Sequence, residues 1–238
     1  MNGETLILAD PAAVAEATAR RLVDLMAATD GRFSLALSGG STPQRLYRLL
    51  ASAEWRGQID WHRLHLFLAD ERFLPLDHAD SNFHMLTETL LDPLAAAGVA
   101  IPAANLHPMP TDGSVEDSAR RYEAELRQFF GAAPPRFDLI ILGMGPDGHT
   151  ASLFPGHVHA AGPWVLPVHD SPKPPPTRLS LSLQLINHAR QVWFLVTGQD
   201  KAAALSALRS DSEPVLPAGT VRPEPGELLW LVDQAAWA

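Results

Sequence analysis

The sequence predicts an α/β protein with a Rossmann-like three-layer α/β/α fold and a mostly parallel central sheet. Three observations lead there. Short apolar runs alternate with stretches of helical periodicity. Several of those runs are apolar on both faces. Three of them end in loops of unusual composition, at 38–43, 70–72 and 143–149. Strands buried on both faces belong to sheets covered by helices on either side. In open sheets of this kind ligands bind beyond the carboxyl ends of the strands. The 238 residues suit a single domain spanning 1–238.

Taken in order, residues 11–28 read as an amphipathic helix with Asp10 as N-cap and Pro11 in the first turn. Phe33–Leu37 is a buried strand that runs into Ser38-Gly39-Gly40, and a helix follows from Pro43 to about Ala53. Leu64–Ala69 is a second strand, ending at Asp70-Glu71-Arg72, and 81–91 and 114–130 are helical. FDLIIL, Phe137–Leu142, is the clearest central strand and ends at Gly143-Met144-Gly145. Further strands are expected at Trp164–Val168, Arg178–Leu183, Val192–Thr197 and Leu228–Val232, with a helix at Lys201–Leu208. The proline-rich run 171–176 reads as a stiff loop and 211–226 as a surface excursion. No internal repeat is present.

Composition narrows the function. With no cysteine, a disulfide framework and a cysteine metal site are excluded. His157 and His159 would share a face of a strand, but no third ligand of suitable spacing accompanies them, so zinc is not expected. The N-terminal residues lack the pattern of a secretory signal, and no apolar run is long enough to span a membrane. A cytoplasmic protein without membrane contact is expected. A net charge of −9 argues against a nucleic-acid partner. An anionic small molecule would need positive potential concentrated locally against that overall field.

Four motifs offer it. In SGGSTP, 38–43, the glycines let backbone N–H groups approach an anion at a helix N-terminus, with Thr42 or Ser41 as N-cap. The plain alternative is a capped helix after a tight turn. Asp70 and Arg72 stand at a strand end, where Arg72 offers a planar fork to an oxyanion and Asp70 a partner for hydroxyls. Read alone, this motif is better explained by a surface ion pair with an N-cap at Ser81 or Asn82. In GMGPDGHTASLFPG, 143–156, a Gly-rich turn presents His149, a proton acceptor near neutral pH, with Asp147 placed to select its tautomer. The alternative is a structural loop. Lys173 and Arg178 flank the prolines of a pre-ordered loop, as ligand contacts or as solvated charges. No G-x-S-x-G is present, which disfavours a serine nucleophile elbow.

Together the strings LSGGSTPQRLY (37–47), ADERFLPLDHADSN (69–82), DLIILGMGPDGHTASLFPG (138–156), SPKPPPTRLSLSL (171–183) and VRPEPGELLWLVD (221–233) resemble the 6-phosphogluconolactonase family. They lie in family order and span nearly the whole chain. The resemblance implies a NagB-like fold and hydrolysis of 6-phospho-D-glucono-1,5-lactone in the oxidative pentose phosphate pathway. It places the phosphate against Gly39, Gly40, Ser41 and Thr42, with charge from Arg178 and Lys173. His149 would be the general base with Asp147 beside it, Arg72 or backbone N–H groups would stabilise the oxyanion, and Asp70 would hold sugar hydroxyls. No metal or organic cofactor is implied. The only partner is the sugar-phosphate lactone, and a monomer or weak homo-oligomer is expected. Glucosamine-6-phosphate deaminases are similar through Asp147-Gly148-His149 but carry a Glu a few residues on, where this chain has Phe154. A non-catalytic sugar-phosphate sensor is the third reading. Such regulators normally add a helix-turn-helix, whereas here the first helix leads straight into the sheet.

Overall fold

The computed structural model describes residues 1–131, 133–157, 162–210 and 216–238. Its strands are β1 (Glu4–Leu8), β2 (Phe33–Leu37), β3 (Leu64–Leu68), β4 (Asp70–Arg72), β5 (Leu106–His107), β6 (Leu139–Gly143), β7 (Val165–Val168), β8 (Arg178–Leu181), β9 (Gln191–Val196) and β10 (Glu227–Asp233). Its α-helices are α1 (Pro11–Ala28), α2 (Ser41–Leu50), α3 (Asn82–Leu86), α4 (Asp92–Ala96), α5 (Val115–Phe130), α6 (Leu183–Ile186), α7 (Ala202–Arg209) and α8 (Gln234–Trp237). A π-helical turn, Thr87–Leu91, joins α3 to α4.

Seven strands form one sheet in the order β1-β10-β9-β6-β2-β3-β5, with every pairing parallel. The expected parallel sheet is therefore present, flanked by helices. Its central strands are buried throughout: all five residues of β2 and the first four of β6. From β2 the chain moves outward through β3 to β5, then returns to β6 on the other side and continues through β9 to β10. The strand order thus reverses between β2 and β6. That reversal opens a crevice at their carboxyl ends, where doubly wound sheets bind ligands. The loops at 38–43 and 143–149 leave these two strands and border it.

Several elements differ from expectation. The edge strand β1 was not anticipated, because its burial is partial and its apolar alternation short; Ile7 remains 48% exposed. The strands expected at Trp164–Val168 and Arg178–Leu183 are β7 and β8, but they leave the main sheet. They form an antiparallel sheet in the order β4-β8-β7. Helix α2 begins at Ser41, two residues early, with Gly40 rather than Ser41 or Thr42 as N-cap. Of the expected surface excursion, 211–215 lies outside the described residues; in the remainder Ala218, Val221 and Pro223 are buried while Arg222, Glu224, Pro225 and Gly226 are exposed. Elsewhere local signals hold. Asp10 caps α1 by accepting from the N–H groups of Ala12 and Ala13, and Ser114 caps α5 through Asp117 N–H. Among the described residues no helix is long and apolar enough to cross a membrane.

Candidate active site

At the end of β2 the backbone turns through Gly40 at φ 107°, a left-handed conformation that favours glycine. No side chain caps the α2 N-terminus, so its first-turn N–H groups stay free to meet an anion. Gly39 is required for a different reason: a Cβ there would lie 1.9 Å from Asn82 Oδ1. Thr42 Oγ1 shares a 2.7 Å hydrogen bond with Thr197 Oγ1 just beyond β9, tying this turn to the neighbouring strand end.

Beyond β6 the loop folds on itself. Gly145 N–H donates to His149 O at 2.9 Å, Gly148 N–H to Gly145 O at 2.9 Å, and Thr150 Oγ1 to Gly143 O at 2.9 Å. From outside, Ala218 N–H donates to Gly148 O at 3.0 Å, so the buried Ala218 buttresses the turn. His149 Nδ1 lies 2.5 Å from Asp147 Oδ1. A hydrogen bond to a carboxylate puts the ring proton on Nδ1, which in the neutral imidazole leaves the lone pair on Nε2. Lys173 Nζ stands 3.2 Å from Nδ1 and 3.4 Å from Asp147 Oδ2. Burial pushes the imidazole below its ordinary pKa; the Asp147 hydrogen bond and charge pull the other way, and Lys173 pushes down again. Burial works against the Asp147 carboxylate, but His149 and Lys173 outweigh it and hold the pKa below the usual range. The ring of Phe154 packs 4.9 Å from that of His149.

The small sheet supplies the third wall. Asp70 is 5% exposed, accepting from Ser152 Oγ at 2.7 Å while Asn82 Nδ2 donates to its backbone carbonyl at 2.8 Å. In the β4–β8 pairing Arg72 sits directly opposite Arg178. Like charges in register destabilise a sheet unless something anionic lies between or beside them. Asp70 and Glu71 supply part of that compensation. Arg178 donates to the carbonyls of Lys173, Pro174 and Pro175, each at 3.1 Å, and so fastens the proline loop. Arg72 Nη1 donates to Asp80 O at 2.6 Å.

These walls enclose a cleft of about 220 Å³. It is lined by Gly39, Gly40, Ser41, Thr42, Asp70, Arg72, His149, Lys173 and Arg178, so the sequence-predicted residues converge there, with Asp147 directly behind His149. Four cationic side chains, Arg72, Lys173, Arg178 and Lys201, line it beside one carboxylate, Asp70. Positive potential is therefore concentrated locally on a chain whose net charge is −9. Among the described residues, Ser38 Oγ and Arg72 Nε are buried without a hydrogen-bond partner, and both residues line the cleft.

Sequence reasoning missed Ser38, Asn82, Ser152, Thr197 and Lys201. Asn82 and Ser152 act by holding Asp70, a tertiary relation with no local signature. Thr197 and Lys201 follow the carboxyl end of β9, and that strand end was the one available signal. Glu71 was also passed over. It is fully buried and accepts from the N–H groups of Arg72, Asn82 and Phe83 and from Ser81 Oγ, which locks β4 to the start of α3. No group of three His, Cys, Asp or Glu side chains gathers to hold a metal among the described residues, and His159 lies outside them.

The family described as glucosamine-6-phosphate isomerases/6-phosphogluconolactonase matches residues 9–230. The chain belongs to that family. A 6-phosphogluconolactonase of Rattus norvegicus is 42% identical over 229 residues, covering 94% of this chain and 87% of its own. One from Synechocystis is 44% identical, covering 87% and 84%. The crystal structure of 6-phosphogluconolactonase from Thermotoga maritima superposes with a TM-score of 0.84 at 30% identity, covering 98% of this chain and all of that one. A monomeric glucosamine-6-phosphate deaminase at 19% identity and a TM-score of 0.81 shares the fold.

Proposed function

We propose that the chain hydrolyses 6-phospho-D-glucono-1,5-lactone to 6-phospho-D-gluconate, in the oxidative pentose phosphate pathway, with His149 as general base. The observation that carries this reading is the orientation of His149. Its Nδ1 is committed to Asp147, which leaves Nε2 as the basic nitrogen in a cleft that the uncapped N-terminus of α2 also lines. The names borne by the relatives at 42% and 44% identity support the same substrate.

The phosphate rests on the backbone of Gly39, Gly40, Ser41 and Thr42, with charge from Arg178. Water attacks the lactone carbonyl carbon as Nε2 takes its proton. Arg72 balances the negative charge that develops on the carbonyl oxygen. Collapse breaks the ring C–O bond, and the departing alkoxide takes the proton back from Nε2. Asp70, fixed by Ser152 and Asn82, receives sugar hydroxyls. The apolar Phe154 beside the imidazole favours this reaction over deamination, which needs a carboxylate there to relay a second proton. The compartment we propose is the cytoplasm, and the state a monomer or weak homo-oligomer.

A pH-stat assay with freshly made lactone, corrected for spontaneous hydrolysis, tests the reading. His149→Ala should lower kcat by about 10²–10⁴-fold, the usual contribution of a positioned base, with KM little changed. Unaltered turnover removes His149 from the mechanism. Ammonia release from glucosamine 6-phosphate would transfer the chain to the deaminases.

A further inference from the structure

The sequence groups Lys173 with Arg178 as a phosphate contact, but its ammonium stands 3.2 Å from His149 Nδ1 and 3.4 Å from Asp147 Oδ2. An ammonium offers only protons, and Nδ1 already directs its own proton at Asp147. The approach of Lys173 to the ring is therefore a charge held against its back edge, not a hydrogen bond. The loop keeps it there. Ser171 Oγ donates to Lys173 O at 2.8 Å, Lys173 N–H donates to Ser171 Oγ at 3.2 Å, and Arg178 Nη2 donates to Lys173 O at 3.1 Å. The charged groups acting on His149 are Asp147 and Lys173 on the Nδ1 side and Asp70 from β4, with Arg72 and Arg178 lining the same cleft. An isolated Asp–His pair favours the imidazolium; a cation facing both members opposes it.

We infer that Lys173 is a positioning residue for the reaction: its ammonium, held against Asp147 and the Nδ1 edge of His149, keeps the imidazole neutral at rest and presses its captured proton onward to the leaving oxygen. The inference rests on the reading of His149 as base. When Nε2 accepts the proton of water, a C–O bond forms and the imidazolium finds itself beside a second cation. When the ring C–O bond breaks, the alkoxide takes that proton and the repulsion is relieved. Burial is the main cause of the depressed imidazole pKa, and the Lys173 charge adds to it in the same direction. Because the Lys173 side chain is 41% exposed, solvent screens part of the effect.

The test compares wild type, Lys173→Met and Lys173→Arg in two measurements: the pH profile of kcat/KM for the lactone, and the NMR titration of the His149 ring nitrogens. Methionine keeps the length of the stem and removes the charge. Lys173→Met should move both the acid limb and the ring titration to higher pH, leave KM within about twofold, and be rescued by Lys173→Arg. A KM increase of about tenfold or more with neither titration moved makes Lys173 a phosphate contact and overturns the inference. A ring titration that does not move overturns it as well. A ring titration that moves under an unmoved acid limb shows that His149 is not the base. That result overturns the parent reading, and the inference with it, by a distinguishable route.

Discussion

As the proposed base, His149 needs one orientation, and a residue without a side chain leaves room for it. A Cβ at Gly145 would lie 2.1 Å from both Cε1 and Nδ1 of His149 and 2.6 Å from Asp147 Oδ1. Gly145→Ala should therefore turn the ring off its axis. We expect kcat to fall by on the order of 10²-fold, as geometric misplacement of a catalytic group does, while the melting temperature changes far less than for a core substitution. Parallel kinetics and calorimetry check this; full activity in Gly145→Ala would mean the ring tolerates displacement. The adjoining Ala151 at φ 47° is the one non-glycine residue with a left-handed backbone among the described residues, and it too lines the cleft. Backbone strain of this kind, costing about 1–3 kcal/mol, gathers at functional sites.

Helices α1 and α2 begin in contrasting ways. Asp10 satisfies the first-turn donors of α1, whereas α2 begins at a glycine with no side-chain cap. An N-cap side chain is worth about 1 kcal/mol, and α2 forgoes it while presenting those donors to the cleft. The β4–β8 ribbon makes a similar sacrifice by setting Arg72 against Arg178. Arg178→Ala should raise KM by about tenfold or more, since a charged hydrogen bond is worth about 1.5–3 kcal/mol. It should also lower the melting temperature, because three loop carbonyls lose their donor. Steady-state kinetics with melting curves separates the two effects, and an unchanged KM would remove Arg178 from the substrate's surroundings.

For the whole molecule, the pKa shifts imply a pH dependence of stability. His149 is held below its unfolded value, roughly 6.5, mainly by burial, so the folded state resists a proton that the unfolded chain accepts. Its contribution to stability is complete above the unfolded pKa and is lost as pH falls toward the folded one. His65, depressed by burial and by its neighbours His107 and Arg32, adds in the same direction. Glu71 runs the opposite way. Burial raises its pKa against the pull of three backbone N–H groups and Ser81, so it favours the fold at acid pH and loses that contribution as pH rises through its folded pKa. Between about pH 6.5 and 5 the melting temperature of wild type should decline, and the decline should be shallower in His149→Phe, whose ring can pack against Phe154. Calorimetry across that range checks it, and equal slopes would contradict the assignment.

Much was legible in the linear order of residues. Apolar runs marked β2, β6, β9 and β10 because a strand buried on both faces must be apolar throughout, and glycines marked the loops because Gly40 and Gly148 take a positive φ while Gly39 and Gly145 leave no room for a Cβ. Asp70, Arg72, Asp147 and His149 were legible as candidates because each stands at or beside a strand end, and Lys173 and Arg178 because they flank the proline run. The Asp10 N-cap was legible because its capping contact is local. What remained hidden was set by contacts between residues far apart in the chain. The departure of β7 and β8 into a second sheet, the clamp of Ser152 and Asn82 on Asp70, and the buttress of Ala218 under Gly148 depend on which surfaces meet in space. So does the placing of Lys173 against His149, 24 residues away: charge and chemistry are properties of a residue, but the group on which a charge acts is chosen by packing.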